Sequence, residues 1–280
     1  MKVHTLETFS IEDITNVFNQ AFADYIIPFQ LTQMNLLDKI KSENIFLNYS
    51  IGISVNDQLV AFILTGIDSK DNAMLSYNAG TGVIPEFRGN HFPQKMYDYL
   101  LPLLSKNNIH HHQLEVITQN TKAIQIYESI GYHINKQVSC FKGTVSTPNS
   151  TSPFIYSKID VFDESDVQPF WNHQPTYQNT LSSINRNSEL HESIGAFFKG
   201  SCVGYITFVK TTGRIKQFGV HPDFRQKGIG QHLFYEVQKN NPNTEISLIN
   251  IDNNDTETIA FLQKINLNRT VEQFEMILNQ

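Results

Sequence analysis

Apolar residues at Ile11, Ile14, Val17, Phe18 and Phe22 fall three or four positions apart, the repeat of a single helix face, and predict a helix over 11–22. A second amphipathic helix over 33–43 opens after Thr32, whose hydroxyl can accept from the unpaired N–H groups of a first helical turn. The period then changes. Apolar runs over 51–55 and 58–67 flank Asn56-Asp57, a pair suited to a tight turn, and predict a β-hairpin. A strand over 74–83, a helix over 94–105, a strand over 113–117, a helix over 121–130 and a strand over 132–141 complete the first half. The second half repeats this order, with strands near 190–198, 202–210 and 214–220, a helix over 229–239, a strand over 245–251, a helix over 255–265 and a strand over 270–278. Asn254, with Glu257 three residues on, reads as a capping-box-like start for the last helix. Hairpins followed by strand, helix, strand, helix and strand imply an α/β (α+β) fold, a mixed sheet flanked by helices.

The halves follow one plan. "VIPEFRGNHFP", from Val83 to Pro93, returns as "VHPDFRQKGIG", from Val220 to Gly230, and both the valines and the arginines Arg88 and Arg225 stand 137 residues apart. Farther on, "IYESIGY" from Ile126 meets "FLQKINL" from Phe261 at an offset of 135, a two-residue loss that a loop absorbs. Between the copies "GTVSTPNSTSP", from Gly143 to Pro153, holds turn-forming and small polar residues with no apolar period. The expected division is therefore a domain over 1–143, a linker over 144–153 and a domain over 154–280.

Composition narrows the function classes. With 280 residues, 40% hydrophobic and 17% charged, the chain can fill two ordinary cores. The net charge is −6 and the 21 lysines and arginines are scattered, so no electrostatic footprint for nucleic acid is visible. No window approaches the roughly 18 apolar residues of a membrane span and no targeting pattern opens the chain, so neither a membrane partner nor export from the cytoplasm is expected. Cys140 and Cys202 are too few for a disulfide framework or a zinc site and point to a reducing compartment.

The candidate chemistry begins at "FGVHPDFRQKGIG". A strand ending in Phe218-Gly219-Val220 leads into Arg225-Gln226-Lys227-Gly228-Ile229-Gly230 and at once into a helix, and the orphan N–H groups of a helix start form an anion site. Gly228 and Gly230 have no side chain to keep a pyrophosphate away. A dinucleotide-binding turn is the rival reading of Gly228-x-Gly230, but Leu233 holds its third glycine position. The wider pattern V-x-P-x-x-R-x-x-G-I-G after an apolar strand resembles the acetyl-CoA signature of the GNAT acyltransferase superfamily. The resemblance covers both halves and implies two tandem GNAT-like domains. Each would be a mostly antiparallel sheet with a splayed central strand pair. It also implies that Phe218, Gly219 and Val220 take the pantetheine and thioester end of acetyl-CoA, while residues 225–230 take the pyrophosphate.

The same resemblance puts a catalytic set in the other half. Many members of the superfamily carry a Glu as general base, an Asn five residues on and a Tyr seven beyond that as general acid. Glu115, Asn120 and Tyr127 have those spacings. The demand is physical: an ammonium must lose a proton before it attacks a thioester, and the departing thiolate must be neutralised. A solvent-facing strand Glu and a Tyr packing its helix onto the sheet are the alternatives. The equivalents in the second half are Asn250, Asp255 and Leu262, and Leu262 cannot protonate a thiolate. Conversely, His91 and Pro93 replace the loop glycines in the first half, adding bulk and removing an amide donor. Each copy keeps half of the signature.

Asp24, Tyr25 and Pro28 follow the first helix, where the resemblance implies an acceptor pocket. Trp171 and Tyr177 stand at the corresponding place in the second half; the alternative is that these aromatic residues are core. His110-His111-His112 enter a strand on alternate faces and cannot converge on one ion, so no metal is expected. The expected protein is an N-acetyltransferase using acetyl-CoA, most favourably in the C-terminal domain, with a small-molecule or peptide amine as acceptor, acting as a monomer or homodimer. The other reading is a non-catalytic CoA-binding or interaction protein in which both sites have decayed.

Overall fold

Local sequence signals account for most of the elements seen in the computed structural model, which describes residues 1–70, 73–148, 152–160, 163–241 and 245–280. Residues 149–151 of the expected linker lie outside the described residues. The chain forms two units, one made of Met1–Asn135 with Phe274–Gln280 and the other of Lys136–Gln273. Their limits differ from the expected 1–143 and 154–280, because the chain's last residues build into the first unit.

In the first unit, β1 (Lys2–Thr5) precedes α1 (Ile11–Ala21), α2 (Gln33–Ser42), β2 (Ile51–Val55), β3 (Gln58–Lys70), β4 (Ala73–Val83), α3 (Phe92–Ser105), β5 (His111–Ile117) and α4 (Thr121–Ile130). Thr32 caps α2 in a capping box with Asn35, as its sequence predicts. The turn between β2 and β3 has φ of 50° at Asn56 and 61° at Asp57, the left-handed pair of a tight hairpin. The strands are ordered β1-β2-β3-β4-β5, antiparallel except for β4 with β5. Met276 and Leu278 fill this unit's core alongside Leu100, Leu104 and Tyr132, and Gln280 N–H donates to the His110 carbonyl at 2.9 Å.

The second unit takes β6 (His133–Gly143) from Lys136 onward. It continues with β7 (Ile155–Ile159), α5 (Glu164–Val167), α6 (Leu181–Arg186), β8 (His191–Phe198), β9 (Ser201–Val209) and β10 (Arg214–Val220). It closes with α7 (Ile229–Asn240), β11 (Ile246–Asp252), α8 (Thr256–Lys264) and the Leu267–Gln273 part of β12 (Leu267–Asn279). Its order is β6-β11-β10-β9-β8-β7, again antiparallel except for one parallel pair, β10 with β11. The pattern of apolar residues did not disclose β1, β7, α5 or α6, all six residues long or shorter. The start of α8 corrects the sequence expectation: the cap is Asp255, which accepts from Thr258 N–H at 3.0 Å, and not Asn254.

Both parallel pairs come apart. β4 and β5 are in register only over Leu75–Tyr77 against His111–Gln113, and β10 and β11 only at Arg214↔Ser247 and Ile215↔Leu248. In each unit the first strand of the pair carries a bulge where pairing ends, at Ala79 in β4 and at Lys216 in β10, positions related by the same offset of 137. A bulge bends and twists its strand, which turns β4 and β10 away from their parallel neighbours.

Candidate active site

In the second unit the parting of β10 from β11 opens a cleft of about 710 Å³. Residues 215–220 line one wall and 248–251 the other, with the first turn of α7 and one face of α8 completing it. A segment over 170–179 ties the two strands. Asn179 donates from Nδ2 to the Ile249 carbonyl at 3.0 Å, and its own carbonyl accepts from Gln217 Nε2 at 2.6 Å.

The start of α7 has no side-chain cap. Gly228, its N-cap, has φ of 83° and no side-chain cap, so the first-turn N–H groups are left without the acceptor that Ser10, Thr32, Asn120 and Asp255 give to other helices. A Cβ on Gly228 would meet no atom within 4 Å, so the space beside this residue is open. Gly230 has a different reason to be glycine: a Cβ there would lie 2.9 Å from the Phe261 ring. Its missing side chain also makes room for the packing of Phe261 against α7.

Arg225 braces this loop. Its Nε donates to the Val220 carbonyl at 3.1 Å and its Nη2 to the Phe170 carbonyl at 3.3 Å. Of the six loop residues expected to hold pyrophosphate, Arg225, Gln226, Gly228, Ile229 and Gly230 line the cleft, as do Phe218, Gly219 and Val220. Lys227 does not; its Nζ lies over the Phe224 ring and donates to the Asp223 carbonyl. Trp171 also lines the cleft, donating from Nε1 to Tyr205 Oη at 2.6 Å, and Tyr205 donates onward to Gln217. Tyr177 is 5% exposed and outside the cleft lining, so packing accounts for it.

In the first unit the loop keeps its path, with φ of 83° at Gly89 and 54° at His91 against 61° at Gln226 and 83° at Gly228. His91 thus occupies a left-handed position at α3's start, and Pro93 follows in the first helical turn, where it has no N–H to offer. Arg88 braces the strand end as Arg225 does, donating to the Val83 carbonyl, and it forms a bidentate ion pair with Asp24 at 2.6 and 2.7 Å. Asp24 is therefore engaged by Arg88, which depresses its carboxyl pKa through that hydrogen bond. Glu115 accepts from the Tyr77 hydroxyl across the parting strands. Asn120 caps α4, accepting from Ala123 N–H, and donates to Tyr25 Oη at 3.4 Å. Tyr127 packs edge-on to Tyr97 and Tyr132, and burial raises its phenol pKa against the opposing pull of Thr81.

The three consecutive histidines do not converge. His112 is buried beside Ser76, where burial lowers its pKa to about 4, whereas His111 is exposed and contacts Asn279. Among the described residues no group of three or more His, Cys, Asp or Glu is placed to hold a metal ion, and no helix is long and apolar enough to cross a membrane.

One pairing in the cleft escapes sequence reasoning. His173, in the cleft lining, bonds through Nδ1 to Asp255 Oδ2 at 2.6 Å although 82 residues separate them. Burial works to raise the Asp255 pKa, but hydrogen bonds from His173 and Thr258 outweigh it and hold the carboxyl down at about 2. The available signal was the acid standing where the first copy has Asn120.

Two parting parallel strands, each followed by a helix at the opening, recur in both units. The acetyltransferase (GNAT) family profile matches residues 12–132 and 158–266, and the chain belongs to that family. Its fold is similar along 99% of its length to a tandem GNAT protein from the clavulanic acid biosynthesis pathway, with 14% identity, a TM-score of 0.73 and 98% of that chain covered. It is similar in the same way to a GCN5-related N-acetyltransferase from Sphaerobacter thermophilus, with 15% identity, a TM-score of 0.73 and coverages of 99% and 95%. A glucosamine N-acetyltransferase region of a fungal multi-domain β-N-acetylglucosaminidase matches 98% of this chain and 38% of its own, with 14% identity and a TM-score of 0.74. A comparison with curated protein sequences gave no match. The expected tandem, mixed-sheet architecture is thus established.

Proposed function

We propose that the chain is an N-acetyltransferase that moves the acetyl group of acetyl-CoA to an amine of a small molecule or peptide, with acetyl-CoA in the cleft of the second unit. The observation that carries this reading is the uncapped start of α7, with Gly228 in the left-handed region and open space beside it. Residues 225–230 would hold the pyrophosphate on their amides, and the freed edge of β10 at Phe218, Gly219 and Val220 would pair with the pantetheine arm. An N–H of that edge directed at the thioester oxygen would supply the electrostatic contribution that is usually largest in acyl transfer. The two reduced cysteines suit a cytoplasmic protein.

The first unit is read as the weaker or inactive copy. His91 and Pro93 supply a side chain and remove an amide where the second unit offers Gly228 and Gly230. Its Glu115, Asn120 and Tyr127 favour a second reading in which it also turns over. Trp171 is the chain's single tryptophan and lines the second cleft, so its fluorescence separates the readings. A saturable change on adding acetyl-CoA, together with CoA release in a screen of amines, aminoglycosides and peptide N-termini, supports the enzyme. Binding without release in any acceptor class supports a non-catalytic CoA-binding protein.

A further inference from the structure

The second cleft lacks the carboxylate that its sister copy has at Glu115. Asn250 stands in that place, 2% exposed, and its Oδ1 accepts from Gln273 Nε2 at 2.7 Å; an amide cannot take a proton from an ammonium. The charged side chains lining the cleft among the described residues are Lys216, Arg225, Glu257 and Lys264. Glu257 is the one carboxylate of that set, but its side chain is 79% exposed and lies 3.9 Å from Arg225. His173 differs on both counts. Its side chain is 22% exposed, it lines the cleft with Gln217, Phe218 and Gly219, and its Nδ1 is fixed on Asp255, whose side chain is 6% exposed.

The pair sets the tautomer. An ionised carboxylate accepts and cannot donate, so Nδ1 carries the hydrogen and Nε2 of the neutral ring keeps its lone pair. Asn172 steadies the arrangement by donating to Thr258 Oγ1 at 3.3 Å, beside the Asp255 cap.

We infer that His173, oriented by Asp255, is the general base of the second cleft and takes the proton from the ammonium of a primary amine acceptor. The assignment rests on the acetyltransferase reading. Nε2 accepts one proton from the ammonium, and the freed nitrogen lone pair forms the N–C bond to the thioester carbonyl carbon. The C–S bond breaks and its electron pair leaves on sulfur. The second proton lost by nitrogen goes to that thiolate, giving CoA thiol and the amide. The proton on Nε2 passes to water, which restores the base. No acid is required at Leu262, because the nitrogen itself delivers the thiolate's proton.

The test compares wild type, His173→Gln and Asp255→Asn. Acetyl-CoA affinity is measured by calorimetry, and CoA release with a panel of primary alkylamines and with hydroxylamine, which is already a free base at neutral pH. With alkylamines, His173→Gln is expected to lose about 10²-fold or more in kcat/KM, the contribution typical of a general base, and to lose the acidic limb of the kcat/KM profile. With hydroxylamine it is expected to stay near wild type, and acetyl-CoA affinity is unchanged. Nitrogen-15 spectra of the apo protein are expected to show the hydrogen of the neutral His173 ring on Nδ1, and to show both tautomers in Asp255→Asn. Equal loss with both acceptors, or an unaltered pH profile, would overturn the assignment and leave the pair as a structural tie. Failure of wild type to bind acetyl-CoA would bring down the acetyltransferase reading itself, and the assignment with it.

Discussion

Replacing Asp255 by Asn tests the electrostatics of the second cleft separately from the chemistry. Asn is as good a helix cap as Asp, so the bond from Thr258 N–H at the start of α8 has an acceptor in both proteins. What disappears is the charge that His173 and Thr258 stabilise. The wild-type carboxyl lies at about 2 against an ordinary 3.8. A group depressed on folding contributes stability above its unfolded value, and that contribution fades as pH falls through the folded one. Each tenfold change in proton affinity is worth about 1.4 kcal/mol, so the expected contribution at neutral pH is about 2 kcal/mol. The assay is urea unfolding of wild type and Asp255→Asn at intervals from pH 7 to pH 2. The variant is expected to be less stable by about 2 kcal/mol at pH 7 and pH 5, with the difference shrinking below pH 4. A difference that persists undiminished at pH 2 would show that the carboxylate is not the stabilised species. Asp255→Ala should add a pH-independent loss of about 1 kcal/mol from the missing cap.

The two loop glycines should fail differently. Gly228→Ala meets no neighbour and is expected to cost about 1 kcal/mol for its left-handed backbone while lowering acetyl-CoA affinity at least tenfold in a Trp171 fluorescence titration. Gly230→Ala is expected to lower thermal stability by about 1–3 kcal/mol through its clash with Phe261, and Gly230→Ala with Phe261→Leu should recover most of it. Trp171→Phe removes the bond to the buried Tyr205 hydroxyl and is expected to cost about 1 kcal/mol in urea unfolding, since Tyr205 keeps Gln217 as a partner. Glu115→Gln tests the first unit: turnover within a few-fold of wild type is expected, and a hundredfold loss would place the chemistry there.

Much of the fold was legible because local signals coincide with it. Thr32 caps α2, Asn56-Asp57 make the hairpin turn, and the shared offset of 137 marks even the paired bulges at Ala79 and Lys216. The return of residues 274–280 to the first unit was not legible, since nothing in a strand's composition tells which sheet it joins. The loop's place at the start of a helix was legible, but the surroundings of its glycines were not. Whether a glycine serves ligand or packing depends on a neighbour such as Phe261, distant in sequence. His173 was invisible for the same reason: its partner is 82 residues away, and only the fold brings a histidine to the acid at the start of α8.

The most direct test of the account is a crystal structure of the protein soaked with acetyl-CoA. The expected result is pyrophosphate against the amides at Gly228–Gly230 and the thioester between β10 and β11, with no acetyl-CoA at His91 and Pro93. Acetyl-CoA bound in the first unit, with none at the start of α7, would contradict it.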